Sequence, residues 1–447
     1  MAANPKSEIP NPKLKRLVPL LLDWFAANAR DLPWRRTRDP YAIWVSEIML
    51  QQTQVKTVIP FWERWMRELP TIEAVAKAPS AKIHKLWEGL GYYTRVRNLQ
   101  KAAQQIVSQQ RSSRRRGDES QTKIGNRQSA IGNQSETPHV VPYQFPDNFD
   151  EVLALPGIGR YTAGAICSIA FNQPTPILDG NVIRVLTRIF GIAENPKEKI
   201  TNARLWHLAE ELVTQAAHLN SGRSSQREAA PTAKSESGKR KADTSQSLLT
   251  SAATMTGNCS ALNQSLMELG ALICTPRSPH CLTCPVRKLC VAFKEGRIEE
   301  LPNLGKRDAA TARHFIAFAI EQAGKLLVRQ RPDGEVNAHL WEFPNQESPE
   351  AEPDVQVMFR NIFGFDAGEI HPLCTVKHSI TRYRITLEAF RVQLGGTSST
   401  SPHSPNTKSK TRLFETGMWK TPAQMRRLAF TSAHRKVLRT LTKDLKA

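Results

Sequence analysis

The sequence predicts a mainly α-helical N-terminal region followed by a smaller α+β domain. Apolar residues recur at helical spacing through the first hundred residues, and a Gly-X-Gly turn at 157–159 leads into a further helix. A loop with four closely spaced cysteines, at 274–290, marks the end of the helical region. Beyond it, short apolar runs alternate with turns around one helix, which is typical of an α+β domain. We therefore expect domains at 1–304 and 305–447.

Composition favours a protein that binds a polyanion. The 447 residues suffice for two or three domains with proper cores, and the formal net charge is +21. Such an excess favours a polyanion as partner, because lysines and arginines that neutralise phosphates release condensed counterions. No run of 18 apolar residues and no signal-peptide core occurs. We expect a cytoplasmic chain with no membrane association.

Three segments lack the apolar residues that a core needs. They cover residues 111–141, 221–257 and 395–410, and are rich in serine, threonine, arginine or proline. We interpret the first two as disordered insertions in the helical domain, and the third as a low-complexity insertion in the C-terminal domain.

The predicted helix after Pro40-Tyr41 carries a carboxylate among apolar neighbours. Glu47 lies in the run AIWVSEIMLQQTQV. One interpretation places Glu47 on the exposed edge of an amphipathic helix. The other buries it, which would raise the pKa of its carboxyl group and allow it to donate a proton near neutral pH.

The Gly-X-Gly turn is formed by Gly157 and Gly159 and precedes a predicted helix from Arg160 to Phe171. Glycine allows positive φ and close approach of the backbone to a ligand, and a helix start offers unpaired N–H groups to an anion. The turn is either a DNA phosphate site or a simple tight turn. Asp179 follows in an extended run, where its carboxylate can be held beside the molecule to which such a phosphate belongs.

The cysteine loop has the spacing C-x6-C-x2-C-x5-C, formed by Cys274, Cys281, Cys284 and Cys290. Four thiolates within one short loop predict a metal site rather than unpaired structural cysteines. Either a tetrahedral zinc ion or a [4Fe-4S] cluster satisfies four sulfurs, and spacing alone does not decide between them.

Taken together, these motifs carry a family resemblance. LPGIGRYTAGAI, ILDGNV and the cysteine loop resemble the helix-hairpin-helix superfamily of base-excision DNA glycosylases that carry an iron-sulfur cluster. RDLPWR, VSEIMLQQTQV, LWEGLGYYTRVRNL and LNQSLMELGALICT are similar to adenine DNA glycosylases of the MutY type. The resemblance covers about 14–300 without the insertions. It implies a helix-hairpin-helix fold and a [4Fe-4S] cluster, and it implies removal of adenine mispaired with 8-oxoguanine or guanine.

The resemblance also implies roles for individual residues. Glu47 would be the general acid at adenine N7, and Asp179 would stabilise the oxocarbenium-like sugar, with Asn181 orienting it. The two carboxyl groups then need different protonation states at one pH. The adenine must first leave the stack. Residues that match family positions near the lesion are Gln51, Gln52 and Tyr92, and those that match the adenine pocket are Trp34, Arg35 and Gln264.

Tyr161 separates close relatives within this superfamily. Glycosylases of the endonuclease III type carry a lysine at the equivalent position, and that lysine attacks the sugar. A tyrosine has no amine and cannot form a Schiff base. The sequence therefore predicts a monofunctional glycosylase that uses water as the nucleophile.

The C-terminal region resembles the Nudix-like domain of adenine DNA glycosylases, which reads the 8-oxoguanine. Its predicted helix, VQVMFRNIF, has no carboxylate to hold Mg²⁺, so we expect no pyrophosphatase activity. Thr381 falls where the family has a Phe-Ser-His loop against the damaged base, and only its hydroxyl is retained. We expect a monomer that binds duplex DNA on the nucleoid of a bacterial cell.

Two rival hypotheses remain. One is a glycosylase of the same fold acting on another base, such as a thymine-mismatch or endonuclease III type enzyme. Tyr161 and the C-terminal domain speak against it. The other is a non-catalytic DNA-binding module, in which Glu47 and Asp179 are surface or capping carboxylates.

Overall fold

The computed structural model describes residues 12–124, 143–227, 257–305, 309–350, 352–380, 382–394 and 417–444. The chain divides into two compact units. The first comprises Met1–Lys77 and Asn98–Lys306, and the second comprises Ala78–Arg97 and Arg307–Ala447. Thr381 and the segment 395–410 lie outside the described residues.

The first unit is helical. Its longer helices are α1 (Pro12–Asn28), α2 (Pro40–Leu50), α3 (Val55–Glu68), α6 (Thr94–Ile124), α8 (Arg160–Phe171), α9 (Gly180–Phe190), α10 (Lys199–Arg227) and α11 (Asn258–Leu272). Shorter helices are α4 (Ile72–Lys77), α7 (Phe149–Leu153) and α12 (Val291–Lys294), whereas α5 (Ser80–Trp87) and the first turn of α6 belong to the second unit. Among the described residues, no helix is long and apolar enough to cross a membrane.

The core of the first unit lies where α1, α9, α10 and α11 meet. Leu17, Val185, Leu212 and Leu266 represent this cluster, and each is at most 1% exposed. Burial of such side chains contributes roughly 1.5–3 kcal/mol each. This cluster supports α9 and α11, the two helices that bring Asp179 and the cysteine loop into place.

Two helices extend into segments expected to lack structure. Helix α6 continues to Ile124, and α10 continues to Arg227, so both run beyond the boundaries at 111 and 221. No proline interrupts either helix over these residues, and Gly117 is the single strong helix breaker within 111–124. The remaining parts, 125–142 and 228–256, lie outside the described residues.

The second unit contains a seven-stranded mixed sheet with helices on both faces. The strands are β1 (Thr311–Gln322), β2 (Lys325–Gln330), β3 (Trp341–Glu342), β4 (Asn345–Ser348), β5 (Ile370–Ile380), β6 (Tyr383–Gln393) and β7 (Met418–Lys420). The main order is β3-β2-β1-β6-β5, with β4 paired to β1 and β7 to β2. Strands β1 and β6 are parallel, and their register joins Thr311 to Tyr383.

Alternating side chains of β1 form two cores. Phe318 packs on one face with Phe359 and Phe363 of α13 (Val355–Phe363). Ala319 faces the other way, towards a cluster that includes Val437 of α15 (Ser432–Asp444). A short helix, α14 (Pro422–Met425), precedes α15. Period-two alternation along a strand thus buries both faces of the sheet.

Candidate active site

A cavity of about 550 Å³ opens in the helical unit and collects most of the predicted site residues. Helices α2, α8, α9 and α11 and the segment 30–35 contribute to its wall. Site residues expected from the sequence that line it are Trp34, Arg35, Glu47, Gln51, Gln52, Tyr161, Asp179, Asn181 and Gln264. The cavity therefore combines two carboxyl groups with polar and aromatic side chains.

Glu47 is buried in α2, as the second of the two interpretations of the sequence requires. Asp39 caps this helix by accepting a hydrogen bond from the Tyr41 N–H at 3.0 Å, and Pro40 occupies its first position. Glu47 is 5% exposed. Burial raises the pKa of its carboxyl group to about 7, and the nearby charge of Asp179 adds to the rise. A carboxyl group in this state still carries a proton near neutral pH.

The hydroxyl of Tyr161 donates a hydrogen bond to Oε2 of Glu47 at 2.8 Å. Because this bond stabilises the carboxylate, it lowers the pKa of Glu47 and opposes the effect of burial. Burial raises the pKa of Tyr161 well above its ordinary value, so the phenol keeps its proton. Tyr161 thus holds the acid in place, a contact that the sequence did not reveal.

Asp179 caps the N-terminus of α9. Its Oδ1 accepts a hydrogen bond from the Val182 N–H at 2.7 Å, and its Oδ2 accepts one from Asn181 Nδ2 at 2.9 Å. Burial raises the pKa of Asp179, and both hydrogen bonds oppose the rise by stabilising the anion. Asp179 therefore has two N–H donors for its carboxylate, whereas Glu47 receives the weaker support of a phenol. The hydrogen bonds therefore stabilise the ionised form of Asp179 more than that of Glu47.

An ion-pair network around the buried carboxylate of Glu268 also lines the cavity. Glu268 of α11 is 1% exposed and accepts hydrogen bonds from the Arg30 guanidinium at 2.7 Å and from Arg35 Nη2 at 3.0 Å. Arg35 Nε also donates to Oε1 of Gln264 at 3.0 Å. Although burial opposes it, the pKa of Glu268 falls to about 2 because both guanidinium groups bind its carboxylate. The pair fixes Arg35 beside the cavity.

Arg30 and Glu268 were not among the sequence-predicted site residues. Glu268 lies inside the run SLMELGAL, which is otherwise mostly apolar. The reasoning that singled out Glu47, a carboxylate among apolar neighbours, applies to it equally.

Of the two glycines in the Gly-X-Gly turn, Gly157 adopts the positive φ that the sequence predicts, whereas Gly159 has an extended backbone with φ −97°. Gly157 has φ +78°, and a Cβ there would lie 2.6 Å from Cβ of Asn98. Gly159 is the N-cap of α8 and leaves free space around its Cα. The turn lies outside the cavity wall, as does Tyr92, which belongs to the second unit. Gln52 in the cavity also has positive φ, +55°, which is rare for a residue with a side chain.

The four cysteines line one small cavity beside the end of α11 and α9. Within the described ranges, no three side chains of His, Cys, Asp or Glu lie close enough together to hold a single metal ion. Arg188 Nη1 lies 3.4 Å from Sγ of Cys274, and the Arg188 carbonyl lies 3.3 Å from Sγ of Cys290. Four sulfur donors that line one space are the ligand set of a metal centre.

Two family models match the chain. Residues 45–211 match the HhH-GPD superfamily of base excision DNA repair proteins, and residues 316–440 match the NUDIX domain. The first match agrees with the helical unit, its Gly-X-Gly turn and its cavity. These features define the class, a base-excision DNA repair protein of the helix-hairpin-helix superfamily with a C-terminal Nudix-like domain.

Named relatives narrow this class. The chain is 30% identical over 475 residues to the adenine DNA glycosylase of Rattus norvegicus, covering 94% of this chain and 76% of the relative. The adenine DNA glycosylase of Homo sapiens is also 30% identical, over 94% of this chain and 72% of the relative. That of Buchnera aphidicola subsp. Schizaphis graminum is 31% identical, over 73% and 74%. The chain belongs to the family of adenine DNA glycosylases, which are hydrolases of base-excision repair.

Proposed function

We propose that this chain removes adenine mispaired with 8-oxoguanine or guanine from duplex DNA, with Glu47 as the general acid. One observation carries the proposal. Glu47 is 5% exposed and has a pKa of about 7, and it lines the same cavity as Asp179. A group with a pKa near the working pH is suited to proton transfer.

The presence of both carboxyl groups in one cavity supports the following reaction. The flipped adenine enters the cavity, and Glu47 gives its proton to N7 of the base. The C1′–N9 bond then breaks with its electron pair passing to adenine. Asp179, oriented by Asn181, stabilises the positive charge that develops on the sugar. Water then adds to C1′ and gives its proton to the Glu47 carboxylate, which regenerates the acid and leaves an abasic site.

The remaining polar residues divide between the base and the backbone. Trp34, Arg35 and Gln264 contact the adenine, and the Arg35 guanidinium is held ready by Glu268. Gln51, Gln52 and Tyr92 act on the stack around the lesion. Gly157 and Gly159 bring backbone N–H groups at the start of α8 to a DNA phosphate.

Tyr161 makes the enzyme monofunctional. Its hydroxyl is engaged with Glu47 at 2.8 Å, and it offers no amine for attack on the sugar. We expect borohydride to trap no covalent adduct with DNA. Efficient trapping with the wild-type chain would contradict the use of water as nucleophile.

Cys274, Cys281, Cys284 and Cys290 would hold a [4Fe-4S] cluster, since they supply four soft donors around one space. The cluster, when bound, cross-links the loop 274–290. Arg188, itself buried, places its guanidinium group against Sγ of Cys274 at 3.4 Å.

The Nudix-like domain reads the base opposite the adenine, with Thr381 as the candidate contact. The net charge of +21 supports association with DNA, and we propose that the chain acts as a monomer on the nucleoid of a bacterial cell.

Glu47→Gln tests the proposal directly. We expect binding to an A:8-oxoguanine duplex to be retained, and single-turnover release of adenine to fall by about 10²–10⁴-fold, the usual contribution of general acid catalysis. Glu63→Gln, on the exposed surface of α3, is the matched control and should release adenine at the wild-type rate. A Glu47→Gln variant that keeps its activity would overturn the assignment.

A further inference from the structure

The segment Ala78–Arg97 packs with the C-terminal domain although it lies within the helical part of the sequence. It contains α5 and the loop 88–93, which carries Tyr92, and both its ends continue into the helical unit. Lys85 Nζ donates to the Leu428 carbonyl at 2.9 Å, and Arg97 Nη1 donates to the Ala338 carbonyl at 2.9 Å. Hydrogen bonds from the middle of the segment and from its C-terminal end thus join it to the C-terminal domain.

Glu88 makes the densest set of these contacts. Its side chain is 10% exposed, and its Oε1 accepts a hydrogen bond from the Phe430 N–H at 3.0 Å. Lys85 Nζ donates to Oε2 at 2.7 Å, and Arg435 Nη1 donates to the Glu88 carbonyl at 3.2 Å. A carboxylate removed from water in this way is stable because several donors replace its hydration. We call these four residues, Lys85, Glu88, Phe430 and Arg435, the Glu88 cluster.

The acceptor of the Phe430 N–H comes from the segment 78–97 and not from the C-terminal part of the chain. Phe430 is 1% exposed and forms an isolated parallel bridge with Trp341. In that bridge the Ala429 carbonyl and the Thr431 N–H bond to Trp341. The N–H of Phe430 itself points away from Trp341, and Glu88 accepts it. A buried N–H without an acceptor is strongly unfavourable. The Phe430 N–H and the Glu88 carboxylate therefore stabilise each other's position.

The loop that follows Glu88 is strained. Gly89, Gly91 and Tyr92 have φ of +119°, +70° and +46°. Such a conformation at Tyr92 is unfavourable for a bulky residue and persists only when the surroundings hold it. Trp87 Nε1 supports it by donating to the Gly91 carbonyl at 3.0 Å. Tyr92 remains 44% exposed, so the loop presents an aromatic ring to a ligand.

We infer that Glu88 is a positioning residue. It fixes the conformation of the loop 88–93, which carries Tyr92, by joining this loop to the C-terminal domain. The Glu88 cluster ties the loop to the domain that reads the base opposite adenine. A conformational change in the Nudix-like domain is therefore transmitted to Tyr92 through Glu88. The enzyme's preference between 8-oxoguanine and guanine depends on Glu88 for this reason. The inference rests on the proposed function, because it assigns Tyr92 and the Nudix-like domain to the lesion.

Hydrogen–deuterium exchange on the full-length protein measures the contact without any assay of activity. In Glu88→Ala, we expect the peptides that cover 428–431 and 88–93 to exchange about tenfold faster, since the Phe430 N–H loses its acceptor. Glu88→Gln keeps an acceptor oxygen but loses its charge, and should raise exchange about threefold. Glu321→Gln is the matched control, because it breaks the 2.8 Å pair with Arg391 in the same unit and leaves the Glu88 cluster intact.

Single-turnover rates on A:8-oxoguanine and A:G duplexes give the second readout. We expect the ratio of the two rates to fall about tenfold in Glu88→Ala and about threefold in Glu88→Gln, and to stay at the wild-type value in Glu321→Gln. A purely structural role would lower both rates by one common factor and leave the ratio unchanged. The ratio therefore separates positioning from general stability.

The outcomes are distinct. Faster local exchange together with a smaller ratio supports the inference. An unchanged ratio in both Glu88 variants, or an equal fall in Glu321→Gln, overturns it. If Glu88→Ala melts the C-terminal domain, Glu88→Gln alone decides by the same criteria. A wild-type chain that shows no preference between the two duplexes refutes lesion reading as part of the proposed function, whereas the exchange experiment still decides whether Glu88 holds the loop.

Discussion

Replacing Tyr161 by phenylalanine should move the pH dependence of adenine release to higher pH. The Tyr161 hydroxyl donates to the Glu47 carboxyl group at 2.8 Å and lowers its pKa, while burial holds that pKa at about 7. In the proposed mechanism protonated Glu47 is the active form, so the rate of adenine release should fall as pH rises through this pKa. Removing the hydroxyl destabilises the carboxylate and raises the pKa further.

The size of the shift follows from the strength of the lost bond. A hydrogen bond to a charged group contributes roughly 1.5 kcal/mol at the lower end of its range, which corresponds to about one pKa unit. Wild-type Glu47 is then about one-tenth protonated at pH 8, and the variant about one-half. Relative to its own plateau, Tyr161→Phe should be about fivefold faster than the wild type at that pH.

Single-turnover release of adenine between about pH 5.5 and 9 measures the effect. Tyr41→Phe is the matched control. Tyr41 is a buried tyrosine of α2, the helix that carries Glu47, and its hydroxyl donates to the Leu69 carbonyl rather than to Glu47. Its profile should keep the wild-type midpoint. A midpoint in Tyr161→Phe that stays in place, or moves to lower pH, refutes the role of this hydroxyl in setting the acidity of Glu47.

Three further substitutions test other parts of the site. Glu268→Gln should lower the free energy of unfolding in urea at pH 7 by about 3 kcal/mol, because Arg30 and Arg35 lose their buried partner. The pKa of Glu268 is lowered to about 2, so in the wild type this stability is present above about pH 4.5 and is lost as pH falls towards 2. A Glu268→Gln variant as stable as the wild type would show that the ion pair contributes nothing. Gly157→Ala should lower the melting temperature and the duplex affinity, because φ is +78° at this position and the new Cβ would meet Asn98. Gly159→Ala, the control, should leave the melting temperature nearly unchanged. Equal melting temperatures for the two variants would contradict the steric explanation. Cys284→Ser should abolish the brown absorption near about 400 nm and Cys374→Ser should preserve it; a colourless wild-type protein would instead favour zinc.

The sequence predicted the helical half of the fold well because its signals are local. The Pro40-Tyr41 pair at the start of α2 and the Gly-X-Gly turn before α8 each act within a few residues. The strands β1, β2, β5 and β6 and the helix α13 were also expected from their apolar runs. Strands β3, β4 and β7 were missed because they have two to four residues, too few for a periodic pattern.

Contacts between residues that are far apart in the sequence could not be predicted from it. Glu47 and Tyr161 are separated by 114 positions, and Arg30 and Glu268 by 238, so no local pattern joins them. The sequence identified Glu47 and Asp179 as residues of interest, and their placement in one cavity came from the packing of α2, α8 and α9. The segment 78–97 had been placed in the first domain, and nothing in its helical pattern indicated that it packs with residues more than two hundred positions away.

That segment makes the C-terminal unit discontinuous along the gene. A polypeptide that ends near residue 305 would retain Ala78–Arg97 but lose the strands of the unit to which this segment belongs. The Glu88 carboxylate would then lack its partners Phe430 and Arg435. The complementary fragment would begin without α5. Splitting the enzyme at the obvious linker therefore yields two incomplete modules, and a genuinely separable C-terminal piece would have to carry residues 78–97 grafted onto it.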